Sequence, residues 1–228
     1  MIVSHKHRFI FLKTAKTAGT SIELALSRVS GEQDIITPLH RDDEALRKKY
    51  QLPGPKNYLK KLRDYNKKDW RVLLLKQKPA RLFYNHMPAR EAKEILGEEV
   101  WNNYFKFCFE RNPWDRVISM YYWKNKRNKW NNISEFINKK NLKPLKKKGY
   151  YIYTIQNEVV VDKVYLYENL QEAMNDIKKR LDIDCELEVP KAKTQYRKKN
   201  IESKNDLDYE EIKFIERYFK EEVNLIGY

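Results

Sequence analysis

Residues Arg8 to Glu23, RFIFLKTAKTAGTSIE, restrict the fold more than any other stretch of the 228-residue chain. Phe9 to Leu12 is a short apolar run that leads into a turn of lysines and small hydroxyl residues. Ile22, Leu24, Ala25 and Leu26 then return on a helical spacing. The pattern predicts a buried strand, a tight turn and an amphipathic helix, in that order. A turn of this kind aims backbone N–H groups and the positive end of the helix at one point, where a phosphate is favoured.

What the turn lacks narrows the phosphate. A loop that wraps a nucleoside triphosphate needs GxxxxGK[ST], with glycines that let the backbone approach the phosphates. In this chain Ala15 precedes Lys16, Ile10 stands at the earlier glycine position, and Gly19 follows the lysine. No later strand is expected to end in the Asp that would hold Mg²⁺ beside such a loop. A lysine without the triphosphate wrap or the metal clamp suits a compact 5′-phosphate with a good leaving bond, handled without metal.

A second segment, Tyr104 to Trp123, reads YFKFCFERNPWDRVISMYYW. Alternation and aromatics over Tyr104 to Phe109 predict a strand, and Pro113 falls where the first turn of a helix tolerates it. Arg111 then lies at the strand's carboxyl end, with Ser119 about two turns into the helix. Ligands of open α/β sheets collect at the carboxyl ends of strands, so Lys16 and Arg111 are expected to face one crevice.

At these residues the chain resembles a known family. KTAKTAGTS is similar to the 5′-phosphosulfate loop, and RNPWDRVIS to the 3′-phosphate motif, of sulfotransferases that use 3′-phosphoadenosine 5′-phosphosulfate (PAPS). The likeness is greatest to the branch containing carbohydrate sulfotransferases and their bacterial relatives. It extends to Asn85-His86-Met87-Pro88, to Tyr167-Glu168-Asn169-Leu170 and to the stretch from Lys193 to Arg197. Many relatives carry Pro directly before the loop lysine, where this chain has Ala15, a departure expected to leave the turn less rigid.

The resemblance implies sulfuryl transfer from PAPS, as co-substrate and without metal, to an acceptor hydroxyl, most simply of a carbohydrate, by in-line displacement. Lys16 would offset charge on the leaving phosphate. His86, at the position of the family's base, would deprotonate the acceptor, and an unperturbed histidine pKa near neutrality suits that task. His40 is the reserve; His5 and His7 read as surface residues. Backbone and hydroxyl groups of Thr17, Ala18, Gly19, Thr20 and Ser21 would hold the 5′-phosphate. Arg111 can grip the 3′-phosphate bidentately, with a hydroxyl from Ser119. Arg116 lies about a turn from Ser119 and is the alternative partner of a carboxylate. Lys13 either contacts the ligand or is solvated, Tyr167 either meets adenine or packs in the core, and Arg197 would close over the nucleotide. Glu168 could replace a histidine base but is better placed to brace the site.

Lys and Arg number 47 against 32 Asp and Glu, a net charge of +15 with pI near 9.5, so the partner is anionic or the excess is a solvated surface. Trp123, Lys124, Lys126, Arg127 and Lys129, with Lys146 to Lys148, could rim a site for an acidic sugar. Cys108 and Cys185 make no disulfide framework. No stretch has the length of a membrane span, and MIVSHKHRF lacks the apolar region of a signal peptide, so a cytoplasmic protein is expected.

Along the rest of the chain, Asp34 to Leu39 reads as extended, and residues 41–70 and 124–149 as charged excursions near the acceptor. Ser134 to Lys140 is expected to form a small helix within the latter. Arg71 to Lys76 is a strand or a short buried helix, and Leu82 to Asn85 a strand end. Helices are expected from Pro88 to Leu96 with a stop at Gly97, from Leu170 to about Leu181, and from Tyr209 to Val223, where Ile212, Ile215, Phe219 and Val223 form one stripe. Val164 to Tyr167 completes the strands. Strands alternating with helices argue for an α/β class: one domain over 1–228, a P-loop-like three-layer fold with a central, mostly parallel sheet flanked by helices.

Three other readings compete. A P-loop-type kinase or hydrolase lacks its glycines and metal carboxylate. A basic nucleic-acid-binding protein would leave both motifs as accidents, and its charge is spread rather than set in a recognition motif. A degenerate member that only binds nucleotide is disfavoured by intact Lys16, His86, Arg111 and Ser119.

Overall fold

The structure is a computed structural model that describes residues 1–190 and 203–228. Arg197 and most of the basic stretch around it lie outside the described residues.

The first strands are β1 (Ile2–Ser4) and β2 (Phe9–Leu12), followed by α1 (Gly19–Ser27), β3 (Ile35–Ile36) and α2 (Arg41–Lys49). Next come α3 (Lys67–Lys76), α4 (Ala89–Asn103), β4 (Phe105–Glu110) and α5 (Pro113–Lys124). Then follow α6 (Ile133–Phe136), α7 (Lys139–Lys147), a small hairpin of β5 (Thr154–Ile155) and β6 (Glu158–Val159), and β7 (Lys163–Leu166). Three helices close the chain, α8 (Leu170–Arg180), α9 (Tyr209–Tyr218) and α10 (Lys220–Ile226). The main sheet has the order β3-β1-β2-β4-β7. β2 pairs parallel with β4 from Phe9↔Phe105 to Leu12↔Cys108, and β4 pairs parallel with β7. Only β1 runs against the others, antiparallel to β2 and to β3. The result is a mixed α/β fold with a mostly parallel central sheet flanked by helices.

The apolar run of β2 follows from coverage of both faces, since a parallel strand with helices above and below has no polar side. Phe9 and Phe11 join Phe107 and Phe109 of β4 against Ile22, Ala25 and Leu26 of α1 and Met174 and Ile177 of α8. Ile10, Leu12 and Cys108 point the other way, into Met87, Ala89, Ala92 and Trp101. A third cluster joins Trp114, Val117 and Ile118 of α5 to Phe136, Leu142, Ile215 and Phe219. That cluster places residues 133–147 against α5, with Ile133 and Phe136 of α6 and Leu142 and Leu145 of α7 buried.

Several expectations change in detail. Arg71 to Lys76 is neither strand nor buried. It is the second half of α3, which starts upstream because Asn66 and Asp69 form a capping box, and none of whose residues is buried. Leu82 to Asn85 forms no strand; the N–H groups of Leu82 and Phe83 both donate to the Tyr58 carbonyl, which uses the backbone in a local tie. Helix α4 breaks at Gly97 (φ 79°) but resumes to Asn103. The last helix divides at Phe219, and its predicted stripe holds, with Ile215, Phe219 and Val223 buried. Residues 41–70 split in behaviour. Helix α2 docks through Arg47, 1% exposed and 3.8 Å from Glu23, whereas the following segment stays at the surface. Among the described residues no helix is long and apolar enough to cross a membrane.

Candidate active site

The turn after β2 is held from four sides. The Thr14 hydroxyl donates to the Phe109 carbonyl at the end of β4 and lies 2.9 Å from the Thr17 hydroxyl. The Ala15 N–H donates to the Lys148 carbonyl at 2.7 Å. A proline has no N–H to give. The departure at Ala15 therefore exchanges a rigid ring for a tether to the end of α7. Lys13 is the third tie. Its side chain is 4% exposed, so it is not solvated, and its ammonium pairs with Glu23 Oε2 at 2.9 Å. Burial alone would push the Glu23 carboxyl up, but Lys13 and its neighbouring cations overcome that and hold it below the usual range. Gly19 is needed for this path, since a Cβ there would sit 2.8 Å from Lys13 Cγ. The fourth tie is His86.

Lys16 and Ala18 adopt left-handed backbone (φ 68° and 56°), the geometry of turns that gather N–H groups around an anion. Helix α1 opens directly after them with no side-chain cap and no acidic residue in its first turn. Its first-turn donors, from Gly19, Thr20 and Ser21, therefore keep the positive end of the dipole facing the turn. Thr17 is fully buried, whereas Lys16, Ala18 and Thr20 are half-buried.

Helix α5 joins this turn to Arg111. Asn112 caps the helix, accepting from the N–H groups of Trp114 and Asp115, while its own N–H donates to Glu168 Oε1 at 2.9 Å. Glu168 is thus a brace. Asp115, Ser119 and Trp123 recur every four residues along one face of the helix. At one end of that face Asp115 Oδ2 lies 3.4 Å from Arg111 Nη2; at the other the Lys16 ammonium lies 5.6 Å from the Trp123 ring centre. Lys16 and Arg111 accordingly lie at opposite ends of the α5 face that carries Ser119. Arg111 is 8% exposed, with its guanidinium 4.3 Å above the Tyr167 ring. Its Nε is buried with no hydrogen-bond partner among the described residues. Tyr167 is therefore half-buried under an arginine, not in the core.

His86 also has left-handed backbone (φ 60°), and its Nδ1 lies 2.9 Å from the Lys13 carbonyl oxygen. A carbonyl only accepts, so Nδ1 carries the proton and Nε2 keeps a lone pair. Burial, with the nearby Lys13 charge, lowers the pKa of His86 to about 3. The ring is neutral and tied to the residue that starts the turn. His40 is remote from this geometry; it caps α2 with a side chain 73% exposed. His5 is half-buried, with Nδ1 2.8 Å from the Tyr104 hydroxyl, rather than a plain surface residue. Of the expected basic rim, Lys124 and Lys146 turn back to the Asn141 and Tyr218 carbonyls, whereas Lys126, Arg127 and Lys129 are exposed.

Beneath the crevice lies a buried ionic group that the sequence only hinted at. Arg116 Nη1 is 2.6 Å from Glu110 Oε2 and 3.9 Å from Glu222 Oε1, all three fully buried. Glu110 also accepts from the Arg111 N–H at 3.3 Å. One guanidinium faces two carboxylates, and burial pushes Glu222 up to about 7. A carboxyl raised on folding stabilises the native state below its unfolded pKa, and that contribution is lost as pH rises through its folded value. Glu222→Gln should therefore become progressively more stable than the parent between about pH 4.5 and 7, with the difference constant above that. His86 contributes with the opposite sign between about pH 3 and 6.5 but cancels in the difference. Urea midpoints against pH check this; a difference independent of pH would contradict it.

The chain matches the Sulfotransferase family over residues 1–228 and belongs to it. A relative from Archaeoglobus fulgidus, described only as an uncharacterized protein, is 33% identical over 106 residues, covering 45% of this chain and 88% of its own length. No solved structure matches.

Proposed function

We propose that the chain moves a sulfuryl group from PAPS to an acceptor hydroxyl of a carbohydrate, within a single P-loop-like domain. The observation that carries this reading is the bond from His86 Nδ1 to the Lys13 carbonyl. It leaves Nε2 unprotonated on a ring tied to the turn that carries Lys16 and leads into α1. Two features suit the donor's chemistry, an uncapped helix start for the 5′-phosphate and, for the 3′-phosphate, a buried arginine whose Nε lacks a partner among the described residues.

In this reading the acceptor O–H gives its proton to Nε2 of His86 as its oxygen bonds to sulfur. The S–O bond to the 5′-phosphate breaks in line, and its electron pair stays on the phosphate. Lys16, with the turn N–H groups of Thr17 and Ala18 and the first-turn N–H groups of Gly19, Thr20 and Ser21, offsets the charge that grows there. Arg111 and Ser119 hold the 3′-phosphate, and Tyr167 keeps the guanidinium flat and in place. A pKa of about 3 makes His86 a weak base in the free protein. The anionic donor favours the imidazolium and raises that value when it is bound. Lys13 acts through Glu23 and not on the ligand. Free Cys108 and Cys185 suit a reducing cytoplasm.

Transfer of labelled sulfate from PAPS to a panel of saccharides, with chelator present, tests the reading. Labelled sulfated product is expected. Transfer or hydrolysis of the γ-phosphate of ATP with Mg²⁺, and none of sulfate, would replace it with the kinase or hydrolase reading.

A further inference from the structure

Residues 56–81 hold ten Lys and Arg against two Asp, so this short segment supplies more than half of the chain's net +15. Eight of those ten cations are exposed. The same segment exposes Leu59, Leu62, Trp70, Leu74 and Leu75. Leu74 and Leu75, at 76% and 71%, are the most exposed large apolar side chains among the described residues. Lysine-rich surface explains solubility; it does not explain leucines held in water beside it.

The helix that carries them is built rather than frayed. Asn66 and Asp69 close its capping box, and Trp70 is propped edge-on against Tyr65 at 5.4 Å between ring centres. Asp69 is occupied by Lys60 at 2.8 Å, which turns one of the two local negative charges inward. Around α3, Trp70 and Leu74 lie one turn apart, Arg71 and Leu75 one turn apart, and Lys67 and Lys68 complete the outer face. Around the exposed arc Trp70 and Leu74 are followed by Lys67 and Arg71 and then by Leu75 and Lys68, an alternation of apolar and cationic groups.

We infer that this face docks the protein on an anionic lipid surface. Charge complementarity selects a negative partner and argues against a second copy, which would bring two strongly positive faces together. The alternation argues for lipid over an acidic protein. A rigid partner covering Leu74 and Leu75 would desolvate Arg71 and Lys67 between them. A fluid interface lets each leucine and Trp70 enter singly while the long cations reach up to headgroup phosphates. The inference is independent of the reaction assigned to the crevice.

Flotation with lipid vesicles tests it, using neutral phosphatidylcholine and a mixture with about a third phosphatidylserine. The full chain is expected to float with the anionic vesicles alone, and to be released by high salt. Leu74→Ser/Leu75→Ser should lose at least about tenfold in vesicle affinity, with circular dichroism and nucleotide binding unchanged. Both side chains are exposed, so the variant tests docking and not folding. Failure of the parent protein to float with anionic vesicles would overturn the inference and favour an acidic protein partner. Equal flotation of the double variant would also overturn it, by reducing the attraction to diffuse charge.

Discussion

Lys16→Ala is expected to lower kcat by about 10²–10³-fold while changing the affinity for 3′-phosphoadenosine 5′-phosphate by only a few-fold. The effect is differential: an ammonium beside the turn does little for a bound phosphate already held by backbone donors and arginine. It matters when the bridging oxygen takes up charge as the S–O bond breaks. Its ammonium lies 5.6 Å from the Trp123 ring centre, beside the turn and the start of α1. Lys16→Arg, which keeps the charge on a differently shaped group, should recover part of the loss. Steady-state kinetics beside a product titration separate the cases. A fall in nucleotide affinity as large as the fall in kcat would make Lys16 a simple anchor of the turn.

His86→Ala should lower kcat by about 10²–10⁴-fold. Because His86 has positive φ and donates to the Lys13 carbonyl, its loss could also unseat the turn. His86→Asn separates the two roles. Asparagine tolerates left-handed backbone and offers an N–H donor, but no basic nitrogen. It should retain nucleotide binding and thermal stability yet be as slow as the alanine variant. The pH profile gives an independent reading. A base must be neutral to act, so activity persists above its pKa. With His86 held at about 3 in the free protein, kcat/KM should show no histidine limb between about pH 5 and 8. The limb in kcat should lie higher, since the anionic donor is then bound. A kcat/KM that falls tenfold per unit below about pH 6.5 would contradict the geometry around His86.

Much of the local structure around the candidate site could be read from the chain because its parts are close in sequence. The strand, turn and helix of residues 9–27 follow from an apolar run, small residues and a helical spacing within twenty positions. Pro113 and Arg111 likewise mark a helix start and a strand end only two residues apart. Local signals fail where partners are distant. Nothing in KTAKTAGTS shows that Lys13 turns inward to Glu23, because only folding reveals that α1 lies over the turn. Glu110, Arg116 and Glu222 meet from β4, α5 and α10, and the spacing of Glu222 from the other two carries no pattern. The Ala15 tether to Lys148 is of the same kind, since a backbone bond across 133 positions leaves no trace in side-chain types. Helix α3 misled for another reason. Its leucine run resembles a buried segment, and the capping box that extends it lies upstream in a charged stretch.

In the proposed function the turn and Arg111 together hold a bisphosphorylated adenosine. Calorimetric titration of the chain with 3′-phosphoadenosine 5′-phosphate, without metal, tests it most directly, beside Arg111→Ala. Two charge-assisted bonds are at stake, so the variant should bind about a hundredfold more weakly or worse. Tight binding by the parent protein that is lost on replacing Arg111 is the result predicted. No binding by the folded parent protein, or binding indifferent to Arg111, would contradict the account.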